Sequence, residues 1–190
     1  ALGNLDPGQQ MEVLDQVDDP EYVVLDTMNL WIENTLDNLK KAIGRTNMLI
    51  INDSEARELA DEPNLLKAAD KIRDLGTDNL IIKKGEHGAL LFTDDTYFSL
   101  PAYPVVDIYD PTGAGDTFLG GFIGWLADTE DLSDRNLRRA AVFGSVMSSY
   151  CVEEFGPKRL SELDDQDITK RYKEFQDISQ IPKQEYPFAK

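Results

Sequence analysis

The 190-residue chain has little of what most covalent and metal chemistry in proteins requires, because it contains a single cysteine, Cys151, and a single histidine, His87. A lone cysteine excludes an intrachain disulfide and a zinc site built from cysteines. A lone histidine excludes histidine-rich metal sites and argues against the usual catalytic triads. The scarcity of cysteine is typical of a reducing compartment, and we expect a cytoplasmic location.

Basic residues and long apolar runs are also scarce. The chain has 19 Lys and Arg against 36 Asp and Glu, which gives a formal net charge of −17. This excess of acid opposes binding to the phosphates of nucleic acid and to anionic membrane surfaces. No apolar run reaches the ~18–20 residues that span a bilayer, and the first residues lack the pattern of a signal peptide. We therefore expect neither nucleic acid nor a membrane as a partner.

Hydrophobic residues make up 41% of the chain, which is typical of a globular domain with a sizeable core. Short aliphatic runs alternate with segments of helical periodicity, and this alternation indicates an open α/β sheet with helices on both faces. The last two strands are close in the chain, as antiparallel neighbours are. The predicted strands are residues 22–26, 48–51, 80–83, 89–92 and 97–100, and the predicted helices are residues 7–17, 29–43, 64–75, 114–127, 134–151 and 166–175.

The most informative segment is a glycine turn before a predicted helix, with the sequence Asp110-Pro111-Thr112-Gly113-Ala114-Gly115-Asp116. Two close glycines let backbone N–H groups point into one concavity, and the helix dipole adds positive potential, so the turn favours anions. The spacing excludes a P-loop, which requires Gly-Lys-Ser/Thr, and the dinucleotide fingerprint, which requires a small residue where Phe118 stands. An acid after the second glycine repels bound phosphate but suits a base that deprotonates an attacking hydroxyl. The simpler alternative is an ordinary strand-to-helix loop with a capping aspartate.

Two other polar segments follow predicted strands. Asn52 followed three residues later by Glu55 is the pattern of a capping box at a helix start, which is a structural feature. Lys83 and Lys84 precede a turn of sequence Gly85-Glu86-His87-Gly88. Either lysine can reach a phosphate, but a strand end also accommodates one lysine with a buried stem and one in solvent.

These three segments, in this order, resemble motifs of the PfkB family, the ribokinase-like carbohydrate and nucleoside kinases. The glycine turn that ends in Asp116 resembles the C-terminal signature of the family. The segment from Asn52 to Glu55 resembles its Asn-x-x-Glu motif, and residues 84–88 resemble its glycine turn beside the nucleotide. The resemblance implies a ribokinase-like open, mostly parallel sheet, with residues 1–190 as the C-terminal nucleotide-binding and catalytic portion of one kinase domain.

The resemblance also implies an activity, which is transfer of the γ-phosphoryl group of ATP to a hydroxyl of a sugar or nucleoside. Asp116 would be the catalytic base in such a kinase. The backbone amides of Gly113, Ala114 and Gly115 would form the anion hole that receives the transferred group.

Metal and nucleotide contacts follow from the same resemblance. Asn52 and Glu55 would organise Mg²⁺ and its waters near the phosphates. Asp110 and Thr112 would lie beside a monovalent cation such as K⁺, a feature of many members of the family but not of all. The residues expected to contact the nucleotide are Lys84, Gly85, Gly88, Gly144, Ser145 and Ser148.

The remaining part of such a kinase lies before the segments described above. The chain begins without methionine, and residues 1–5 have the pattern of a strand end that runs into a helix start at Asp6 and Pro7. We therefore expect that an N-terminal region is absent from this chain, with most acceptor-binding residues and a β-lid through which protomers form a homodimer. The sequence does not identify the acceptor. The alternative to an active kinase is a non-catalytic, nucleotide-binding regulatory protein on the same fold.

Overall fold

The sheet of the protein has five strands in the described part of the chain. A computed structural model describes residues 1–3, 5–93 and 96–180. The strands lie in the order of the sequence, and β1 pairs with β2 and β2 with β3 in parallel, whereas β3 pairs with β4 and β4 with β5 antiparallel. Leu2 adds an isolated parallel bridge to Leu25, in line with the strand end predicted near residue 1. The strands are β1 (Val24–Asp26), β2 (Met48–Asn52), β3 (Asn79–Lys83), β4 (Ala89–Phe92) and β5 (Tyr97–Leu100).

Nine α-helices are found in the described residues 1–3, 5–93 and 96–180, together with a short 3₁₀ helix over Gly85–His87. Most match the predicted segments, but the helix predicted over 29–43 is broken at Thr35, whose backbone (φ −137°, ψ 36°) is not helical. The short helix after Pro157 was not predicted. The helices are α1 (Pro7–Leu14), α2 (Asn29–Asn34), α3 (Leu36–Ile43), α4 (Asp53–Ala60), α5 (Leu65–Arg73), α6 (Ala114–Thr129), α7 (Asp134–Cys151), α8 (Lys158–Ser161) and α9 (Asp165–Ile178).

Both faces of the sheet are covered by helices, as predicted. Alternate residues of β2 point to opposite faces, because side chains along a strand have a period of two. Met48 and Ile50 belong to a core with residues of α6, α7 and α9. Leu49 and Ile51 belong to a second core with residues of α2 to α5. All four side chains are fully buried, so β2 is a central strand of a three-layer structure.

The close packing of α6 against α7 depends on a glycine. A Cβ added to Gly144 would lie 2.7 Å from the carbonyl oxygen of Phe118. Only a residue without a side chain allows α7 to approach the backbone of α6 so closely. This contact fixes α6 over the sheet. The first residues of α6 reach the carboxyl end of β3.

Within residues 1–3, 5–93 and 96–180, no helix is long and apolar enough to cross a bilayer.

Candidate active site

The carboxyl ends of the three parallel strands bring polar side chains together at one edge of the sheet. Asp26 ends β1, Asn52 ends β2 and Lys83 ends β3, and Asn52 and Lys83 are direct neighbours in the strand register. The Nζ atom of Lys83 lies 3.7 Å from Oδ1 of Asp26, and these two side chains are only 19% and 14% exposed. Open α/β sheets bind their ligands outside this edge, so the cluster lies where a site is expected.

Burial changes the acidity of two carboxyl groups in this cluster. Burial raises the pKa of Asp26, the ammonium group of Lys83 opposes the increase, and the negative charge of Asp116 adds to it. Burial also raises the pKa of Glu55, while a hydrogen bond from the Asn52 amide and the charge of Lys83 act in the opposite direction. The four charged groups therefore interact electrostatically across strands that are distant in the sequence.

The glycine turn forms the start of α6. Gly113 caps the helix in the left-handed conformation, with φ 81°, which a glycine adopts without strain. The Ala114 amide donates to the carbonyl of Pro111 at 3.1 Å. Among the described residues, the amides of Gly113, Gly115 and Asp116 have no hydrogen-bond acceptor. Free amides at the positive end of a helix dipole form an anion site, and the amide of Asp116 belongs to it although the sequence argument did not include it.

The carboxylate of Asp116 is not used as a helix cap. The N-cap of α6 is Gly113, and no side chain caps the helix. Asp116 is exposed in the first turn of α6, and its carboxylate accepts no hydrogen bond in the part of the chain that the structure describes. The capping role required by the simpler alternative is therefore not observed.

Asn52 and Glu55 do form the predicted capping box at the start of α4. The Glu55 amide donates to Oδ1 of Asn52 at 2.9 Å, and the Asn52 amide donates to Oε2 of Glu55 at 3.0 Å. The Ser54 hydroxyl also donates to Oδ1 of Asn52. The second carboxylate oxygen of Glu55, Oε1, has no partner among the described residues and can accept from a metal-bound water. The structural and functional interpretations of this motif are thus compatible.

No group of three or more His, Cys, Asp or Glu side chains among the described residues is arranged to hold a metal ion. Mg²⁺ in kinase sites keeps several waters and is held largely by the nucleotide phosphates, so a site with one partly buried carboxylate oxygen fits it. The residues present therefore fit a magnesium ion bound through water and phosphate.

A cavity of about 570 Å³ extends from the turn after β3 to the start of α6. This volume is in the usual range for a small-molecule site, about 300–1,000 Å³. One end is polar, with Asn52, Lys83 and Gly115, and most of the remaining lining is apolar. The lining residues are Asn52, Lys83, Gly85, Glu86, Gly88, Ala89, Ala102, Tyr103, Pro104, Val105, Ile108, Pro111, Ala114, Gly115, Phe118, Ser145, Ser148, Ser149 and Val152.

The cavity includes four of the six predicted nucleotide residues, namely Gly85, Gly88, Ser145 and Ser148. Gly88 has φ 83°, and an added Cβ would lie 2.1 Å from the carbonyl oxygen of Leu100, so this turn requires glycine. The other two residues are not in the lining. Gly144 lies in the contact between α6 and α7, where it faces Phe118.

Lys84 is also outside the cavity lining, whereas its neighbour Lys83 is part of it. Lys83 follows the buried Ile81 by two residues, so its side chain lies on the face of the sheet that α6 covers. Lys84 lies beyond the strand, and its amide donates to the Gly88 carbonyl at 2.7 Å. The sequence argument considered Lys83 only as an alternative to Lys84 and did not consider Asp26. The signal that could have found them is their position as the last residues of predicted parallel strands.

Asp110 and Thr112 lie in the turn before the anion site. The Thr112 amide donates to Oδ1 of Asp110 at 2.9 Å, and hydrogen bonds from Thr112 keep the pKa of Asp110 below its usual value. The thiol of the buried Cys151 lies 3.6 Å from the Thr112 carbonyl oxygen and supports the turn from α7. The monovalent cation at Asp110 and Thr112 stays a prediction.

Comparison with known proteins identifies related sequences and folds. A family model described as pfkB family carbohydrate kinase matches residues 7–163. Aminoimidazole riboside kinase of Salmonella typhimurium is 36% identical over 109 residues, which cover 54% of this chain and 33% of that enzyme. The chain thus spans about a third of the length of this relative.

Solved structures show the same fold. The crystal structure of the Methanocaldococcus jannaschii nucleoside kinase, an archaeal member of the ribokinase family, matches with a TM-score of 0.71 at 22% identity, over 90% of this chain and 55% of that one. Aminoimidazole riboside kinase from Salmonella enterica, solved with aminoimidazole riboside and an ATP analog, matches with a TM-score of 0.69 at 25% identity, over 79% of this chain and 52% of that one. The predicted ribokinase-like fold is therefore confirmed.

Proposed function

The chain belongs to the pfkB family of carbohydrate kinases, and from this premise we propose that it transfers the γ-phosphoryl group of ATP to a hydroxyl group of a sugar or nucleoside. The observation that carries the proposal is the start of α6. There, amides without an acceptor among the described residues lie next to Asp116, whose carboxylate accepts no hydrogen bond from these residues. An anion site and a free base in adjacent positions are what phosphoryl transfer to an alcohol requires.

The cavity suits the nucleotide. Its apolar part, with Ala89, Val105 and Ile108, can bury the flat faces of a base, and Ser145 and Ser148 can hydrogen-bond to its polar edge. Its polar end lies at Gly115, at the amides of α6. A nucleotide bound in this direction places its terminal phosphate at the helix start.

Each group of the site then has a defined role in the transfer. The α6 amides hold the γ-phosphoryl group and stabilise the charge that spreads over its oxygens in the transition state. Asp116 accepts the proton of the attacking hydroxyl. Asn52 and Glu55 would hold the waters of a magnesium ion, which would supply positive charge to offset that of the phosphates. Binding both substrates beside one rigid helix start aligns their reacting groups, which lowers the entropic part of the activation barrier.

The test is the variant Asp116→Asn, which keeps the size of the side chain and removes the base. We expect MgATP to bind with nearly unchanged affinity and turnover to fall by about 10²–10⁴-fold, the usual contribution of a general base. ADP release is measured against a panel of sugars and nucleosides, for this chain and for the complete open reading frame that encodes it. Turnover at the wild-type rate in Asp116→Asn would refute the mechanism.

A matched control separates this effect from a general change in α6. Asp128 is exposed near the end of the same helix, so Asp128→Asn removes one charge without touching the site, and its turnover should equal that of the wild type. If the unaltered protein binds MgATP but turns over no acceptor in the panel, the regulatory alternative is favoured. That alternative has no need for Asp116, Asn52 and Glu55 in this arrangement.

A further inference from the structure

Arg171 of α9 is a largely buried cation, with only 13% of its side chain exposed. Its guanidinium group donates to Oε1 of Glu153 at 2.7 Å and to the hydroxyl of Ser149 at 3.1 Å. The same group lies over the rings of Tyr150 and Tyr103, at 3.4 Å and 4.7 Å from the ring centroids. A planar guanidinium group makes hydrogen bonds at its edge and ring contacts on its face at the same time. Arg171 therefore joins four side chains that come from α7, from the residues just after α7 and from the loop after β5.

Two of the side chains that Arg171 contacts belong to the wall of the cavity, namely Ser149 and Tyr103. The Ser149 hydroxyl donates to the carbonyl of Val146 at 2.6 Å and accepts from Arg171, so both of its interactions fix its orientation. Tyr103 is held from a second direction, because its hydroxyl donates to Oε2 of Glu174 at 2.7 Å. Two residues of α9 thus determine how one side of the cavity is shaped.

The attachment of α9 to the rest of the protein does not depend on Arg171. Phe175 is 1% exposed and belongs to the core with residues of α6 and α7. Tyr172 stacks on Trp125 of α6, with the ring centroids 5.6 Å apart and the ring planes at 14°. Buried aromatic side chains supply large apolar areas and hold such contacts together. Loss of the Arg171 contacts should therefore change the wall of the cavity without releasing the helix.

We infer that Arg171 is a positioning residue for the base of the nucleotide, and that it acts by fixing Ser149 and Tyr103 in the cavity wall. The inference rests on the proposed function, because it concerns the same cavity. Ser149 follows Ser148 along α7, and Tyr103 lies two residues before Val105. Both therefore belong to the part of the wall that is proposed to face the base. α9 lies beyond residue 163, where the match to the family model ends, so that match assigns no role to this helix.

The physical reason is the cost of ordering side chains when a ligand binds. Ser149 and Tyr103 are fixed before the ligand arrives, so the ligand does not lose affinity by ordering them. Without the guanidinium group each of them loses a constraint, and a base that binds against them has to order them again. The described contacts of Arg171 do not include the amides at the start of α6, where the phosphates are proposed to bind. The effect should therefore be confined to ligands that carry a base.

The test compares a ligand that has a base with a ligand that has only phosphates. Dissociation constants for MgATP and for the magnesium complex of tripolyphosphate are measured by calorimetry on the wild-type chain and on Arg171→Met. We expect the affinity for MgATP to fall by about tenfold and the affinity for tripolyphosphate to stay the same. Lys173 is exposed on the same helix and gives the matched control Lys173→Met, which should bind both ligands like the wild type.

Two milder variants serve if Arg171→Met does not fold. Glu153 also pairs with Arg159 at 3.6 Å and so keeps a cationic partner, but removal of one member of a buried pair is costly. Arg171→Lys keeps the charge and loses the planar contact with the rings, so its affinity for MgATP should lie between those of the wild type and Arg171→Met. Tyr103→Phe removes only the hydroxyl that donates to Glu174, and it should lower the affinity for MgATP but not for tripolyphosphate.

The outcomes separate this inference from the proposed function. If the wild type binds MgATP and Arg171→Met binds it equally well, the role of Arg171 is overturned while the kinase proposal stands. If Arg171→Met loses affinity for both ligands to the same extent, Arg171 supports the fold as a whole and the inference is overturned as well. If the wild type binds neither ligand, both proposals are overturned. A loss confined to MgATP in Arg171→Met, with Lys173→Met unchanged, supports the inference.

Discussion

Glu55 uses its two carboxylate oxygens for different purposes. Oε2 accepts from the Asn52 amide and completes the capping box of α4, and Oε1 faces no partner among the described residues. Burial raises the pKa of this group, so folding disfavours its ionised form. A group whose folded pKa is raised contributes stability at low pH, and that contribution is lost as pH rises through the folded pKa. The charge at Glu55 therefore lowers stability near neutral pH, which is consistent with a role in binding.

The variant Glu55→Gln should separate these roles. Gln can still accept from the Asn52 amide, so the capping box is kept while the charge is removed. We expect the half-saturating Mg²⁺ concentration for turnover to rise several-fold. Without Mg²⁺, the free energy of unfolding of the wild type should fall more steeply than that of the variant as the pH rises above the ordinary glutamate pKa of about 4.3.

Urea unfolding at a series of pH values provides the second measurement. Glu58 is exposed on the same helix, so Glu58→Gln is the control, and its Mg²⁺ dependence should match that of the wild type. Equal Mg²⁺ dependence in Glu55→Gln and Glu58→Gln would remove Glu55 from the metal site.

At the scale of elements, the position of the anion site depends on how α6 and α7 pack. Gly144 allows the backbones to approach, because any Cβ there would lie 2.7 Å from the Phe118 carbonyl oxygen. Phe118 lines the cavity one turn below the glycine turn, and Cys151 at the end of α7 contacts Thr112 in that turn. A change in this helix pair would therefore displace the site although Gly144 is not among the residues that line the cavity.

The variant Gly144→Ala should be less stable than the wild type by about 1–3 kcal/mol, as for overpacking, reduced by the gain of about 1 kcal/mol that alanine gives a helix. Gly120 is on α6, and an added Cβ there meets nothing within 4 Å. Gly120→Ala is therefore the matched control and should be as stable as the wild type or more stable. The measurement is the urea midpoint of each variant. If Gly144→Ala is as stable as Gly120→Ala, the close contact does not constrain the helices.

At the scale of the whole molecule, the net charge of −17 is the dominant electrostatic feature. The described ion pairs lie mostly at the surface, as in Arg45 with Asp15 or Lys158 with Glu154, and such pairs contribute little. The excess of carboxylates therefore repels itself in the compact state. Counterions that screen this repulsion should stabilise the fold.

Salt provides the test. Raising NaCl from about 0.01 M to about 0.2 M shortens the Debye length from about 30 Å to below 10 Å and should raise the melting temperature. An increase of about 2–4 °C corresponds to about 1 kcal/mol for a domain of this size. Sucrose, which carries no charge, is the control for general solvent effects. A melting temperature that is flat up to about 0.2 M and rises only at molar salt would argue against charge repulsion.

Local patterns in the sequence predicted much of this protein. The alternation of strands and helices predicted the layered fold, because side-chain periodicity is set by the backbone of each element. The glycine turn at Gly113 and the pair Asn52 and Glu55 were also identified, because turn geometry and helix caps are local properties. Their order along the chain was sufficient to indicate the family that the comparison later confirmed.

Tertiary structure alone decided which side chains meet. Lys83 instead of Lys84 lines the cavity, because the pleat of β3 and the packing of α6 determine which side of the strand faces the site. Asp26 lies next to Lys83 although the two residues are more than fifty positions apart in the sequence. They meet because β1, β2 and β3 lie side by side in the sheet. Gly144 serves the contact between helices and not the cavity lining. Such juxtapositions depend on long-range packing, which no local pattern contains, and so the charge cluster at the site could not be predicted from the sequence.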